Sequence, residues 1–185
     1  MIPTTSGRTI WFTGLPSAGK TTIAQALAKK LLDSGYPVEI LDGDVIRTYL
    51  SKDLGYSKED RDENVRRVGM VADLLSRNGV YVLCSLVSPY RDVREEVRVR
   101  HQGRFFEVYV ATPPDICAER DVKGLYQQHK AGQLQHLTGA DDPYEPPLYP
   151  EVSLQAGEQT VDESVSIVWQ ALWLPQSNRY QRHEA

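Results

Sequence analysis

One stretch limits the fold more than any other: Gly14-Leu15-Pro16-Ser17-Ala18-Gly19-Lys20-Thr21. It follows the apolar run Ile10-Trp11-Phe12-Thr13 and precedes Ile23-Ala24-Gln25-Ala26-Leu27-Ala28, which reads as a helix. The pattern G-x-x-x-x-G-K-T between a strand and a helix is that of a phosphate-binding loop. Its glycines let backbone N–H groups turn toward an anion, and the helix N-terminus adds partial positive charge. Lys20 is placed to reach the β- and γ-phosphates of ATP, and the Thr21 hydroxyl to ligate Mg2+. The ATP-binding stretch is therefore expected over residues 14–22, ending at Thr22. A solvated glycine-rich turn is the alternative, and the strand, the helix and the Lys-Thr pair together argue against it.

With 185 residues the chain suits one domain with a substantial core. A net charge of −4 gives no electrostatic reason to expect nucleic acid or an anionic membrane as partner. Cys84 and Cys117 are far apart and lack metal-ligand spacing, so both are expected as reduced core residues. No N-terminal run resembles a signal peptide and none is long enough to span a bilayer, which makes the cytoplasm the expected location.

After a short polar lead-in (residues 1–8), strands and helices alternate. The first helix is expected to run to about Asp33, with Gly35 as its stop. Residues 38–41 form a second strand that ends in Asp42-Gly43-Asp44. Residues 45–50 suit a short helix. Ser57 followed by Asp60 marks the start of a longer one carrying Val65, Val68, Val71, Ala72 and Leu75 on one face. Residues 80–84 are apolar throughout, as in a strand buried on both faces. A charged, exposed helix is expected over 91–100, a strand over 105–111, a helix through Ile116 to Arg120 and a further helical piece over 123–134. Residues 135–150 are rich in Gly, Pro and Asp and are expected to be irregular. A last strand (152–154), a packing helix marked by Val161, Val165, Val168, Trp169 and Leu172, and a polar tail (175–185) complete the chain. The fold class is α/β, a parallel sheet with helices on both faces. Residues 120–150 make too long a connection, and a mobile lid fits the phosphate loop better than disorder does.

Ligands bind at the carboxyl ends of strands in such sheets. Only the strand over 38–41 ends in an acid, so Asp42 and Asp44 are the candidates for holding Mg2+ and its waters and for accepting a proton from an attacking hydroxyl. A turn that merely caps the next helix is the alternative. Arg47, Arg61, Arg66, Arg67, Arg91 and Arg94 fall in segments leaving the same edge, and the planar guanidinium fork matches phosphate or sulfate oxygens. Arg47 and Arg61 are the two expected as ligands, the others including solvated surface. Asn64, one turn after Arg61, shares its face, and Tyr56 offers either a stacking surface or a core contact. Arg120 and Lys123 flank the lid and are placed to close over ATP.

These residues together resemble the adenylyl-sulfate (APS) kinase family. The resemblance rests on Phe12-Thr13-Gly14-Leu15 with Gly19-Lys20-Thr21-Thr22, Leu41-Asp42-Gly43-Asp44 with Arg47, and Leu54-Gly55-Tyr56-Ser57 with Asp60-Arg61. It continues through Glu63-Asn64-Val65-Arg66-Arg67-Val68-Gly69, Ser88-Pro89-Tyr90-Arg91, Asp121-Val122-Lys123-Gly124-Leu125-Tyr126 and Asp141-Asp142-Pro143-Tyr144-Glu145. It implies a P-loop kinase that phosphorylates the 3′-hydroxyl of APS with MgATP, giving PAPS and ADP in sulfate assimilation, and a homodimer. It also implies that Asp44, Arg47, Tyr56, Arg61, Asn64 and Lys123 hold APS, with Val87, Ser88 and Leu137 bordering the same pocket. The position of Ser88 is sometimes described as a phosphoserine intermediate. Direct in-line transfer already has its metal, donor loop and acceptor pocket, so Ser88 is expected to line the site without becoming phosphorylated.

The sequence departs from the family pattern at Pro16 and Ser17 in the loop, at Val45, and in the lid, where Gln127, Gln128, His129 and Lys130 replace a more basic run and Leu137 an aromatic residue. Two other readings compete: a kinase-like sensor of PAPS that does not turn over, and a P-loop kinase of another small acceptor. Intact Lys20, Thr21, Asp42 and Asp44 argue against the first. Arg47, Arg61 and Asn64 argue against a neutral sugar for the second.

Overall fold

Alternation along the strands decides where the two cores lie. In β1 (Thr9–Thr13), Ile10 and Phe12 face one cluster of apolar side chains and Trp11 the other. Successive strand residues point to opposite faces of a sheet, so a strand apolar on both faces must be covered on both. The computed structural model, which describes residues 7–174, shows that arrangement.

In chain order β1 is followed by α1 (Lys20–Asp33), β2 (Val38–Asp42), α2 (Gly43–Tyr49), α3 (Lys58–Ser76) and β3 (Tyr81–Ser85). Then come α4 (Arg91–Arg100), β4 (Phe105–Val110), α5 (Pro114–Arg120), α6 (Leu125–Lys130), β5 (Val152–Leu154) and α7 (Val161–Leu172). The five strands form one parallel sheet in the order β2-β3-β1-β4-β5. Leu27 and Leu31 of α1 with Val168 and Leu172 of α7 bury one face. Val65, Val68 and Ala72 of α3 with Val93 and Val97 of α4 bury the other. Each fully buried side chain of this kind contributes about 1.5–3 kcal/mol.

Both cysteines are free and buried, as expected. The polar lead-in and tail lie outside the described residues except for Gly7 and Arg8, whose guanidinium donates to the Leu172 carbonyl at 3.0 Å. Among the described residues no helix is long and apolar enough to cross a membrane.

One expectation is corrected here. The helix read as charged and exposed is α4, and it buries Val93, Arg94 and Val97. Arg94 is only 3% exposed. The reason lies on β4, where Glu107 occupies an inward position and takes Arg94 Nε at 3.0 Å and Arg98 Nη2 at 3.0 Å. A carboxylate buried in the sheet needs paired donors, and α4 supplies them.

The connection over 120–150 is ordered by contacts with the rest of the protein. The expected helical piece shortens to α6, anchored by Tyr126, whose hydroxyl donates to the Pro16 carbonyl at 3.2 Å. Residues 135–150 contain only an isolated bridge between Thr138 and Asp142. Gly139, at φ +89°, lies so near the phosphate loop that a Cβ there would sit 2.6 Å from Leu15 Cδ2. A side chain at this position would push the connection, called the lid below for its position over the loop, away from Leu15.

Candidate active site

The sheet places the loop between β1 and α1 at the carboxyl edge, where the strand order reverses around β1. Gly14 lets the loop pass hard against β4: a Cβ there would lie 2.6 Å from the Val110 carbonyl oxygen. Helix α1 begins at Gly19 in the left-handed region, with no side-chain cap and no acid in its first turn. Its N-terminal dipole therefore points at the loop without a protein anion to satisfy it. Lys20 folds back inside, its ammonium donating to the carbonyls of Gly14 at 3.0 Å and Leu15 at 2.7 Å. Burial, and then the charge of Lys123, lower its pKa to about 7.

Next to the loop, three oxygens converge. The Thr21 hydroxyl donates to Asp42 Oδ2 at 3.0 Å, and the Ser85 hydroxyl donates to the same oxygen at 3.1 Å. Burial pushes the Asp42 carboxyl up, but bonds from the Asp44 N–H, Thr21 and Ser85 outweigh it and hold the group below its usual range. Asp42 also N-caps α2 through the Asp44 N–H at 3.0 Å. The turn thus caps a helix and presents a carboxylate to the phosphate loop at once. An all-oxygen set with few carboxylates suits Mg2+, which keeps waters and phosphate oxygens as its other ligands. Among the described residues no cluster of three His, Cys, Asp or Glu side chains forms a cage for a more tightly held metal.

Asp44 turns the other way, toward the lid, where its carboxylate pairs with the Lys123 ammonium. Arg47 and Arg61 lie over the ring of Tyr56, their guanidinium carbons 4.9 and 5.5 Å from its centroid. Tyr56 is 59% exposed, so its ring lies outside the core, beneath the two guanidinium groups. Arg61 is committed to the lid as well: it donates to Thr138 Oγ1 at 2.7 Å, the His136 carbonyl at 2.5 Å and Asp142 Oδ2 at 3.0 Å. Asn64 is buried on the same face, and its Oδ1 has no hydrogen-bond partner among the described residues. A buried acceptor without a partner is costly, and Asn64 belongs to the wall of the cavity described next.

One cavity of about 570 Å³ joins these groups. Its wall includes Lys20, Thr21, Asp42, Asp44, Arg47, Tyr56, Arg61 and Asn64, with Val87, Ser88, Arg120, Lys123 and Leu137. The phosphate loop enters it from Pro16 to Thr22, while Gly14 and Leu15 lie beneath and hold Lys20. Leu137 belongs both to this wall and to the core beside α1. Arg120 donates to the carbonyls of Ala18 at 3.4 Å and Ala156 at 2.8 Å, closing the loop's side of the cavity.

Four of the six clustered arginines do not reach the cavity. Arg66 pairs with Glu96, Arg67 with Asp53 and Glu63, Arg91 donates to the Pro146 carbonyl, and Arg94 is held by Glu107. Sequence reasoning passed over Ser85, because only acids were sought at strand ends. It also passed over Gln159 and Ser164, two residues of the same cavity wall whose Oε1 and Oγ are buried without partners among the described residues. No motif marks those two.

The sequence matches the family model described as adenylylsulphate kinase over residues 6–155. The chain belongs to that family. An adenylyl-sulfate kinase of Rippkaea orientalis is 58% identical over 166 residues, covering 90% of this chain and 91% of its own. Among solved structures, the adenylylsulphate kinase CysC of Mycobacterium tuberculosis, in complex with AMPPNP and APS, is similar at a TM-score of 0.87 and 41% identity. That match covers 90% of this chain and 98% of the other. A hexameric APS kinase from Thiobacillus denitrificans is similar at a TM-score of 0.69 and 35% identity, covering 90% of this chain and 29% of that one.

Proposed function

We propose that the protein transfers the γ-phosphoryl group of ATP to the 3′-hydroxyl of adenylyl sulfate, releasing PAPS and ADP. The observation that carries this reading is the single cavity in which a phosphate loop faces Asp44, Arg47, Tyr56, Arg61 and Asn64. The Mycobacterium tuberculosis relative, solved with AMPPNP and APS together, supports the same pairing of ligands.

The chain's own groups divide the work. Lys20 and the N-terminus of α1 hold the transferring phosphate. Thr21 and Asp42, with Ser85, would hold Mg2+, which when bound offsets charge on the β- and γ-phosphate oxygens. Asp44 receives the proton of the attacking hydroxyl once Lys123 yields it. Tyr56 stacks on the adenine of APS, Asn64 offers it an acceptor, and Arg47 with Arg61 binds the phosphosulfate. Arg120 and Lys123 lie on the lid side, where closure excludes water. Ser88 lines the pocket without being phosphorylated. Residues 1–185 act as one domain in this account, located in the cytoplasm, with two small-molecule substrates and neither nucleic acid nor membrane as partner. The assembly is a homodimer, which sedimentation would distinguish from the hexamer named for the Thiobacillus relative.

A coupled ADP-release assay tests the reading. Turnover is expected with APS and not with other nucleotides or neutral sugars. PAPS binding without turnover in wild type would instead identify a sensor.

A further inference from the structure

Arg94 lies outside the cavity wall, yet it ties together three separate segments, one of which lines the cavity. Its Nε donates to Glu107 Oε1 on β4 at 3.0 Å, its Nη1 to the Ser88 carbonyl at 2.6 Å and its Nη2 to the Glu145 carbonyl at 2.7 Å. Ser88 belongs to the loop after β3 that borders the acceptor end of the cavity, and Glu145 to the return of the lid. The guanidinium also sits 5.9 Å from the ring centroid of Tyr144. The Tyr144 hydroxyl lies 2.9 Å from Thr13 Oγ1, at the end of β1 just before the phosphate loop. That same hydroxyl of Thr13 donates to the Val87 carbonyl at 2.8 Å. The circuit closes where the Glu145 N–H donates to the Pro89 carbonyl at 2.9 Å.

The loop needs holding. Ser88 is a non-glycine residue at φ +40°, a left-handed conformation that persists only when its surroundings impose it. Its carbonyl is fixed by Arg94, and its hydroxyl is engaged by Trp11 Nε1 at 3.0 Å and Thr13 at 3.1 Å. The positive charge of Arg94 is answered by Glu107, so it is not a free anion site. A lysine could not replace it, because one ammonium lacks the fork that spans β4, the loop and the lid return.

We propose that Arg94 and Tyr144 are positioning residues that clamp the acceptor loop to the fixed end of the lid, so that the lid closes from a constant base over the acceptor. The proposal rests on the kinase reading above. It assigns acceptor binding, not nucleotide binding, to the clamp, because the phosphate loop receives no bond from either residue.

Two readouts test it on the full-length protein. In steady-state kinetics, Tyr144→Phe should raise KM for APS by about 3- to 10-fold, the loss of one partly buried hydrogen bond, with KM for ATP and kcat within about twofold of wild type. Thr13→Val, which also loses the bonds to the Val87 carbonyl and from the Ser88 hydroxyl, should raise KM for APS at least as much, and adding Tyr144→Phe to it should raise KM no further, since the one bond that the two residues share is already gone. Arg94→Lys should raise KM for APS further and not restore the wild-type value. In hydrogen exchange without substrate, Tyr144→Phe should speed exchange in residues 86–90 and in 138–146 together while α1 is unchanged. An unchanged KM for APS, equal rises in both KM values, or faster exchange in only one of the two segments would overturn the clamp. Exchange rising in both segments in a wild-type-folded protein that ignores APS would keep the clamp and remove the kinase reading instead.

Discussion

The Thr21 hydroxyl donates to Asp42 Oδ2 at 3.0 Å and so joins the phosphate loop to the end of β2. Asp44, two residues on, points away to Lys123 on the lid. On the proposed mechanism the two carboxylates have different tasks. Asp42→Asn keeps the α2 cap, because asparagine caps as well as aspartate, but weakens the metal site. It should raise the Mg2+ concentration needed for half-maximal rate. Asp44→Asn should depress kcat even at saturating Mg2+. Identical metal titrations for the two variants would contradict this division.

Lys20 gives a pH signature. Its pKa is lowered to about 7 by burial and then by Lys123, against about 10.4 for a lysine in an unfolded chain. Between these values the unfolded chain binds more protons, so the free protein gains stability as pH rises through that window and carries the full cost below it. Nucleotide phosphates favour the ammonium and reverse the shift. Binding of an ATP analogue at a pH near 8 should then take up close to one proton, seen as a dependence of calorimetric heat on buffer ionisation enthalpy. The uptake should vanish in Lys20→Met. A wild-type heat independent of buffer would contradict the account.

Ser88 is occupied on both sides, by Trp11 and Thr13, and is 3% exposed. Ser88→Ala should keep a rate within about tenfold of wild type, as expected for losing one or two neutral hydrogen bonds. Labelled ATP alone should leave no stable phosphoprotein. Stoichiometric label on Ser88 that passes on to the product would reverse this view.

Arg47 and Arg61 should part company on mutation. Arg47 holds the carbonyl of Gly55 at 2.7 Å and covers Tyr56, so Arg47→Ala should lower kcat/KM for APS by about 10- to 100-fold with ATP affinity near wild type. Arg61 also ties down His136, Thr138 and Asp142. Arg61→Ala should therefore add faster proteolysis within residues 121–150 to a similar kinetic loss. Equal protease resistance in both variants would show that Arg61 does not hold the lid.

The strands and the phosphate loop were legible in the sequence because each rests on local pattern. Ile10, Trp11 and Phe12 form a run that only a sheet covered on both faces can bury, and the Gly-Lys-Thr spacing needs nothing distant to be recognised. Asp42 was legible for the same reason, at the end of its strand. What the sequence hid depends on partners remote along the chain. Arg94 reads as surface until Glu107 is known to point inward beneath it. Ser85 gains meaning only beside Asp42 and Thr21, and Gln159 and Ser164 only from the cavity they line. Tyr56 was balanced between stacking and core until its exposure placed it outside the core.

The central claim is that the phosphoryl group arrives on the 3′-hydroxyl of adenylyl sulfate. Phosphorus NMR of the products from wild-type protein, MgATP and APS tests it directly. The account predicts one new phosphomonoester resonance, assigned to the 3′ position by coupling to the ribose proton there, growing in step with ADP and absent in Lys20→Ala. ADP formed without that resonance, or no reaction of APS in a folded, Mg2+-supplied preparation, would contradict it.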